Sequence, residues 1–403
     1  MEQTPMYAAP GPTTHCPAQA VPPRTPLDVL VIGAGQAGFA VGYHLSRHRM
    51  RFLLVDAAPE LGHSWRSRWD SLRLFTPAEY SALPGLSFPA VPGTYPSKDQ
   101  VASYLTTYAA RFDLPVMLNT QVECVDRSPE DGGHEGSLFR VATSQGTLWA
   151  RQVVVATGPF QQPDIPRVGG GFAPAVGQLH SSDYRNPGEL PAESNGKVLV
   201  VGAGNSGLQI ALELSRTHEV HLAVGTRQKT VPQRPLGRDL FWWLTRTGLV
   251  TRPTGSPVTA WLRRRGGDLV IGTTWDDIDA AGIHVHPRLT YADGRTARLG
   301  IGPDDTLDEV AAVVWATGFR ADYSWLDIPG VWDGRRVRQE GGRTDVPGLW
   351  FIGLPWQHSR GSALSGSSAR TRPRSPARWP PGTPPRNDHS RTCTPQVRLS
   401  RMS

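Results

Sequence analysis

The sequence predicts an α/β fold with two similar three-layer domains. Two segments in different parts of the chain carry this prediction, because each has an apolar, strand-like run, then a Gly-x-Gly-x-x-Gly motif, then a helix-like stretch. The motif glycines are Gly33, Gly35 and Gly38 in the first segment and Gly202, Gly204 and Gly207 in the second. Further apolar strands follow at 52–55 and 220–224. This order of elements is typical of a Rossmann-like βαβ unit.

The glycine spacing also predicts what each unit binds. The first glycine makes a tight turn, the second lets the backbone approach a pyrophosphate, and the third lets the helix pack on the strand. The N–H groups and the dipole at the helix start then meet the phosphate charge. Besides the six glycines, we expect Gln36, Asn205 and Ser206 at the two helix starts to contribute. Two such units predict two bound dinucleotides and electron transfer between them.

The residue that ends the next strand distinguishes the two units. In the first unit it is Asp56, whose carboxylate suits a ribose 2′-hydroxyl and repels a 2′-phosphate. The second unit has no acid there but has Arg227, whose guanidinium suits a 2′-phosphate. The pattern predicts FAD, with NAD as the less favoured option, in the first unit and NADPH in the second. Two alternatives stay open: Asp56 can cap a turn, and Arg227 can be a solvated surface charge.

Two Ala-Thr-Gly segments, at 156–158 and 316–318, bracket the second glycine motif and indicate where the chain leaves and re-enters the first domain. We therefore expect the NADPH domain to be inserted into the FAD domain. The predicted organisation is a disordered leader at 1–26, an FAD-binding domain at 27–160 and 316–368, an NADPH-binding domain at 163–314, and a disordered basic Pro/Arg-rich tail at 369–403.

The charge distribution argues against a nucleic-acid partner. The net charge of +7 is concentrated in residues 370–403, which hold eight Arg and one Asp, so the rest of the chain is balanced. A further basic cluster at 263–265 is expected to be a solvated loop, with contact to an adenosine phosphate as the alternative. No run of about 18 apolar residues is present, so no membrane span is predicted.

The cysteines also exclude a class of enzyme. Cys16, Cys124 and Cys393 are far apart and form no Cys-x-x-Cys pair, which excludes a dithiol–disulfide reductase. The same spacing argues against a disulfide framework and a metal cluster, and it favours a cytoplasmic location. No metal site is predicted.

Other elements follow from local patterns. Ser97 and Gln100 form a capping box that predicts a helix with one buried face, and three antiparallel strands are expected at 121–126, 137–143 and 147–155. The segment after Asp56 is rich in aromatic and cationic residues, including Trp65. Such a segment either wraps a flavin or packs a loop on the core, and both interpretations stay open.

Together with these features, His180, Ser181 and Tyr184 between the two units make the chain resemble class B flavoprotein monooxygenases, in the flavin-containing monooxygenase and CzcO-like group. The similarity covers roughly residues 27–366. It implies that NADPH reduces FAD and that one oxygen atom of O2 enters a small organic substrate. No catalytic acid or base is assigned, and a role for His180 in the domain linker is favoured over proton transfer.

The chain departs from that family at three places. Pro174 and Val176 occupy the Phe and Gly positions of the family's histidine fingerprint. Thr76–Pro77 replaces the Thr-Asn of amine-oxidising members, which leaves sulfides, ketones or keto acids as substrates. Beyond Gly366 the expected helix is replaced by the basic tail, through either a reading-frame change or an evolved interaction segment. The alternative functions are therefore a diaphorase-like flavin oxidoreductase without oxygen insertion, and an inactive nucleotide-binding remnant.

Overall fold

The computed structural model describes residues 25–127, 138–190, 196–248, 269–302, 305–355 and 357. Most of the predicted leader, the basic cluster at 263–265 and the predicted tail at 369–403 lie outside the described residues. Thr25, placed in the leader by the sequence, is described, and its carbonyl accepts a hydrogen bond from Arg51 Nη2 at 2.9 Å.

The described helices and strands have the following bounds. The α-helices are α1 (Gln36–Arg47), α2 (His63–Arg66), α3 (Lys98–Arg111), α4 (Asn205–Leu214), α5 (Leu240–Arg246) and α6 (Trp275–Ala280), and short 3₁₀ helices span Ala78–Tyr80, Arg167–Gly171, Pro187–Glu189 and Pro235–Gly237. The strands are β1 (Leu27–Ile32), β2 (Phe52–Val55), β3 (Val116–Met117), β4 (Val122–Arg127), β5 (Phe139–Thr143), β6 (Gly146–Val155), β7 (Gln162–Pro163), β8 (Gly177–His180), β9 (Lys197–Val201), β10 (Val220–Val224), β11 (Thr230–Val231), β12 (Val270–Ile271), β13 (His284–Pro287), β14 (Leu289–Asp293), β15 (Thr296–Leu299), β16 (Thr306–Leu307), β17 (Val310–Trp315), β18 (Phe319–Arg320) and β19 (Leu349–Phe351).

The first large sheet has the order β3-β2-β1-β6-β5-β4, with β19 also paired to β6. Strands β3, β2, β1, β6 and β19 run parallel, whereas β4, β5 and the first half of β6 form the predicted antiparallel meander. The long strand β6 serves both parts, because Ala150 pairs with Leu27 of β1 and with Phe139 of β5.

Both faces of this sheet are buried. Val29 and Val31 of β1 pack in the core beneath α1 and α3, whereas Leu30 and Ile32 pack in the core on the opposite face with Phe139. Successive residues of a strand point to opposite faces, so a strand covered on both sides needs a continuous apolar run. This requirement explains the unbroken apolar sequence before the first glycine motif.

The second large sheet repeats this design. Its order is β13-β10-β9-β17-β8, and all of its pairings are parallel. Val198 and Val200 of β9 pack in the core that includes α4, whereas Leu199 and Val201 pack in the core that includes the small β14-β15-β16 sheet. The predicted α/β fold with two Rossmann-like units is therefore present in the described residues.

The chain crosses between the two sheets at two neighbouring places. Strands β7 and β18, one after each Ala-Thr-Gly segment, pair antiparallel, and β19 then returns to the first sheet. The described residues lie in a single compact unit. The division into an FAD domain and an inserted NADPH domain stays a prediction.

Two further sequence expectations concern cysteines and membranes. Cys124 in β4 is disulfide-bonded, so the argument from cysteine spacing against a disulfide framework is wrong at this position. The sequence rule looks only at spacing, and spacing does not show which distant residues the fold brings together. Among the described helices, none combines the length and the apolar character that crossing a bilayer requires.

Candidate dinucleotide-binding sites

The first glycine turn lies between β1 and α1 and has no space for side chains at two of its three glycines. Gly33 has φ +106°, and a Cβ atom there would lie 2.7 Å from the carbonyl oxygen of Ala156. A Cβ atom on Gly38 would overlap the carbonyl oxygen of Gly33. At Gly35, by contrast, a Cβ atom would meet nothing within 4 Å. The turn is thus closed towards the protein and open on the side where a diphosphate would approach.

The second glycine turn, between β9 and α4, has the same local design. Gly202 has φ +111°, and a Cβ atom there would overlap the carbonyl oxygen of Ala316. A Cβ atom on Gly207 would overlap the Gly202 carbonyl oxygen, whereas one on Gly204 would meet nothing within 4 Å. Ala156 and Ala316 belong to the two Ala-Thr-Gly segments and directly follow β6 and β17, so the backbone after each neighbouring strand comes close to a glycine turn.

The helices that follow these turns begin without capping side chains. Gly35 and Gly204 are the N-cap residues of α1 and α4, neither makes a side-chain capping bond, and neither helix has an acid in its first turn. Helix α3 differs, because Ser97 and Gln100 close a capping box and Asp99 follows in the first turn. Neither a capping side chain nor a first-turn acid therefore competes with an external anion at these two helix starts. Both sites fit the diphosphate of a dinucleotide.

Asp56 directly follows β2 and holds the first turn through hydrogen bonds. Its Oδ2 accepts a hydrogen bond from the N–H of Ala34 at 2.6 Å, and its Oδ1 accepts one from the N–H of Ala58 at 2.9 Å. A carboxylate oxygen has two acceptor directions, so both oxygens keep capacity for a further donor. The turn-holding role, which the sequence left as an alternative, is present in the structure and does not exclude contact with a ribose.

One arginine lines the second site, and a second follows the adjacent strand β10. Arg227 is exposed, and its guanidinium carbon lies 4.3 Å from the centroid of the Trp275 ring. Arg288 lies against Gly225, where a Cβ atom would be 2.9 Å from its Nη2. A cavity of about 310 Å³ is bounded by Gly202, Gly204, Gly225, Thr226, Arg288 and Thr317, among other residues. A negatively charged group in this cleft would meet a cation held at its edge.

Arg288 is a site residue that the sequence reasoning missed. It directly follows β13, whose sequence His-Val-His-Pro is half polar and gives no strand signal. Strand β13 pairs with β10, so the two strand ends place Arg288 near the Thr226–Arg227 segment. One general rule could have found Arg288: in a parallel sheet, the residues that follow adjacent strands lie at the same edge.

Four other predicted residues lie near the two turns or in the first core. Asn205 uses its side chain to hold β12, since its Oδ1 accepts from Ile271 N at 3.1 Å and its Nδ2 donates to Leu269 O at 3.4 Å. Gln36 and Ser206 lie in the first turns of α1 and α4. Trp65, in α2, is half-buried and packs against the first core. Trp65 thus packs a loop on the core, as one of the two sequence interpretations expects, and its contact with a flavin stays a prediction.

His180, at the end of β8, contacts the second crossing segment. Its Nε2 lies 2.9 Å from the carbonyl oxygen of Gly318, and its Nδ1 lies 2.8 Å from Ser182 Oγ. The imidazole is 2 % exposed, and burial lowers its pKa from the ordinary value of 6.5. The ring of Phe319 packs edge-on against it at 4.9 Å. These contacts are those of a linker residue, which is the role that the sequence favoured.

The profile of the pyridine nucleotide-disulphide oxidoreductase family matches residues 30–238, a segment that contains both glycine turns and Arg227. The chain belongs to this family. It is 43% identical to an uncharacterized CzcO-like oxidoreductase of Geobacillus kaustophilus, over 84% of this chain and 94% of the relative. It is also 29% identical to rice indole-3-pyruvate monooxygenase YUCCA8, over 77% of this chain and 80% of the relative.

Solved structures show the same relationship. A flavin-containing monooxygenase from Stenotrophomonas maltophilia is 28% identical, with a TM-score of 0.67 over 85% of this chain and 95% of that protein. The resemblance to class B flavoprotein monooxygenases is therefore confirmed, as are the predicted fold class and the enzyme class of flavin-dependent oxidoreductase. The predicted cofactors, FAD and NADPH, are confirmed at the level of the family.

Proposed function

We propose that this protein is an FAD-dependent, NADPH-using monooxygenase that inserts one oxygen atom from O2 into a small organic substrate. The proposal rests on two glycine turns that are open at their middle glycine. The adjacent strand leads to a carboxylate, Asp56, in the first unit and to a guanidinium, Arg227, in the second. The similarity to flavin-containing and indole-3-pyruvate monooxygenases supports the oxygenase outcome. A cytoplasmic location, suggested by the sequence, stays a prediction.

The first turn is assigned to FAD. The N–H groups at the start of α1, including that of Gln36, would bind the diphosphate, and Gly33, Gly35 and Gly38 give the backbone its close approach. Asp56 holds the turn through Ala34 and would accept a ribose hydroxyl. Trp65 would contact the flavin. We place this FAD-binding domain at residues 27–160 and 316–368.

The second turn, in the domain proposed at 163–314, is assigned to NADPH. The start of α4, with Asn205 and Ser206 and the three glycines Gly202, Gly204 and Gly207, would bind the diphosphate. Arg227 and Arg288 would bind the 2′-phosphate from two sides. The stacking of Arg227 on Trp275 fixes a guanidinium that would otherwise lose side-chain entropy on binding.

Bound FAD and NADPH would supply hydride transfer and the activation of O2. The protein contributes position and exclusion of water. His180 fixes the crossing segment at Gly318, and Trp69, which follows α2, is 4 % exposed within the core of the second sheet. These contacts hold the two units together, so that the two cofactor sites keep a defined relation.

The substrate class is proposed from one residue pair. Thr76 is buried, and Pro77 has no side-chain amide to donate to a cofactor or an oxygen species. The backbone of this pair is held within the protein, because Ser81 Oγ donates to the carbonyl oxygens of Thr76 and Pro77, at 3.3 and 3.1 Å. We therefore favour sulfides, ketones or keto acids over amines as substrates.

The test measures flavin content, oxygen uptake and product. The purified protein should show a flavin spectrum and consume O2 in an NADPH-dependent way, and with a keto acid or a sulfide and ¹⁸O2 it should yield a product containing one labelled atom. A diaphorase-like enzyme would instead oxidise NADPH equally well under argon with a quinone acceptor, and it would give unlabelled product. A protein that takes up no FAD when reconstituted would contradict the enzymatic proposal altogether.

A further inference from the structure

A cluster of three histidines and one glutamate lies on the outer pair of strands in the second sheet. His221 belongs to β10 and pairs in register with His284 of β13. Glu219 precedes His221 by two residues, and His286 follows His284 by two residues. Because side chains two residues apart in a strand share a face, all four side chains meet on the same side of the sheet.

Their distances are short. His221 Nε2 lies 2.9 Å from Glu219 Oε1, and His221 Nδ1 lies 2.9 Å from His286 Nε2. One ligand atom each from Glu219, His221 and His284 lies within 4.8 Å of the others. The His221 ring stacks on that of His284, with the ring centroids 4.8 Å apart. The cluster is accessible from solvent, since Glu219 and His284 are exposed while His221 is buried.

The charged groups that face the cluster are of both signs. Glu219 contacts His221 and favours a cation, whereas Lys197 acts on the same ring with the opposite sign. Asp305 adds a negative charge on the side of His286. A metal ion binds the neutral form of imidazole, so it would compete with protons for these nitrogens.

We propose that Glu219, His221 and His284 form a binding site for a divalent transition metal, with Zn²⁺ as its representative. Imidazole and carboxylate ligands suit this class of ion, and Zn²⁺ takes them at about 2.0–2.2 Å, which places neighbouring ligand atoms roughly 3.3 Å apart. The 2.9 Å pair of His221 Nε2 and Glu219 Oε1 is close to that separation, and the exposed His284, within 4.8 Å of both, would turn its ring to complete the set.

His286 acts as a positioning residue. A histidine that binds a metal through one nitrogen is held by a hydrogen bond at the other, and His286 Nε2 provides that partner for His221 Nδ1. The ion would join β10 to β13 near their starts. The ends of the same two strands lead to Arg227 and Arg288, so the site would stabilise the edge of the sheet that carries both arginines.

The experiment uses the full-length, metal-stripped protein without an affinity tag. Zn²⁺ is titrated calorimetrically and in competition with a chromophoric chelator, and Co²⁺ absorption in the visible range reports ligand geometry. His284→Gln removes an exposed ligand and should not disturb folding, which circular dichroism verifies. His48→Gln, at the exposed end of α1, is the matched control.

We expect one equivalent of Zn²⁺ in the wild type and in His48→Gln, and a rise in the melting temperature on binding. Affinity should fall more than about 100-fold in His284→Gln, because loss of a partner outside the ligand shell already costs 10–100-fold. His286→Gln should weaken binding by less. Absence of one-to-one binding, or equal affinity in the wild type and His284→Gln, would overturn the proposal. These measurements record Zn²⁺ binding and do not depend on NADPH oxidation.

Discussion

The two glycine turns share their backbone but differ in the charge beside them. Gly33 and Gly202 have φ values of +106° and +111°, and each faces the carbonyl oxygen of an alanine that directly follows the neighbouring strand, β6 or β17. The first turn is held by a carboxylate, since Asp56 accepts from Ala34 N at 2.6 Å. The cleft at the second turn is bordered by the guanidinium group of Arg288, and that of Arg227 lies nearby in sequence on the ring of Trp275.

This difference separates two tasks in dinucleotide binding. The glycine turn and the helix start recognise a diphosphate, which any dinucleotide carries, so both units can use one design. Discrimination needs side chains at the ends of neighbouring strands, where the ribose lies. Asp56 is bound into its own turn, whereas Arg227 is held by a ring from α6 and Arg288 comes from the edge strand β13. The charged side chains beside the two turns are therefore positioned by different parts of each unit.

The largest expected effect follows from filling the closed side of either turn. Gly38→Ala and Gly207→Ala each place a methyl group against a carbonyl oxygen, so we expect a loss of about 1–3 kcal/mol or more in the free energy of unfolding. Urea unfolding measures this loss. The control is Gly170→Ala, where the added methyl group meets nothing within 4 Å and stability should stay unchanged. Equal stability of all three variants would contradict the close packing of helix on strand.

The next effect concerns the charge beside the second turn. Arg288→Ala should raise the KM for NADPH about 10–100-fold and leave the KM for NADH unchanged, because a hydrogen bond to a charged group contributes roughly 1.5–3 kcal/mol. Arg227→Ala should do the same. The exposed Arg298 of β15 provides the control variant Arg298→Ala. A parallel rise for NADH would show that the arginines do not read the 2′-phosphate.

A smaller change is expected beside the first turn. Asp56→Asn keeps one acceptor oxygen for Ala34 or Ala58 but not for both, so FAD affinity should fall about tenfold through loss of one charge-assisted bond. Fluorescence titration of the FAD-free protein measures it. NADPH affinity should not change. If it fell while FAD affinity held, the assignment of the two turns would be reversed.

Most of the fold was predictable because its signals are local. The apolar runs before the glycines, the capping box at Ser97 and the meander formed by β4, β5 and β6 each follow from residues close in sequence. Arg288 was not predictable in this way, since β13 has no apolar pattern and its position depends on pairing with β10. The disulfide at Cys124 and the histidine cluster depend on long-range contacts for the same reason.

The smallest effect concerns pH and the linker between the turns. Burial lowers the pKa of His180 in the folded state below 6.5, so the unfolded chain binds the proton more readily. Its contribution to stability is present above pH 6.5 and is lost as the pH falls through the lower folded-state value. We expect His180→Gln to lose less stability between pH 7 and pH 5 than the wild type in thermal unfolding. An identical pH dependence would show that His180 does not titrate in this way.

The most direct measurement compares Gly35→Ala with Gly204→Ala. Both methyl groups would point into open space, so neither variant should lose stability, but each group would occupy the place of a diphosphate. We expect Gly35→Ala to bind FAD at least about tenfold more weakly and to leave the affinity for NADPH in the FAD-loaded fraction unchanged. Gly204→Ala should show the reverse. If both folded variants bound both cofactors as tightly as the wild type, the two turns would not be the dinucleotide sites.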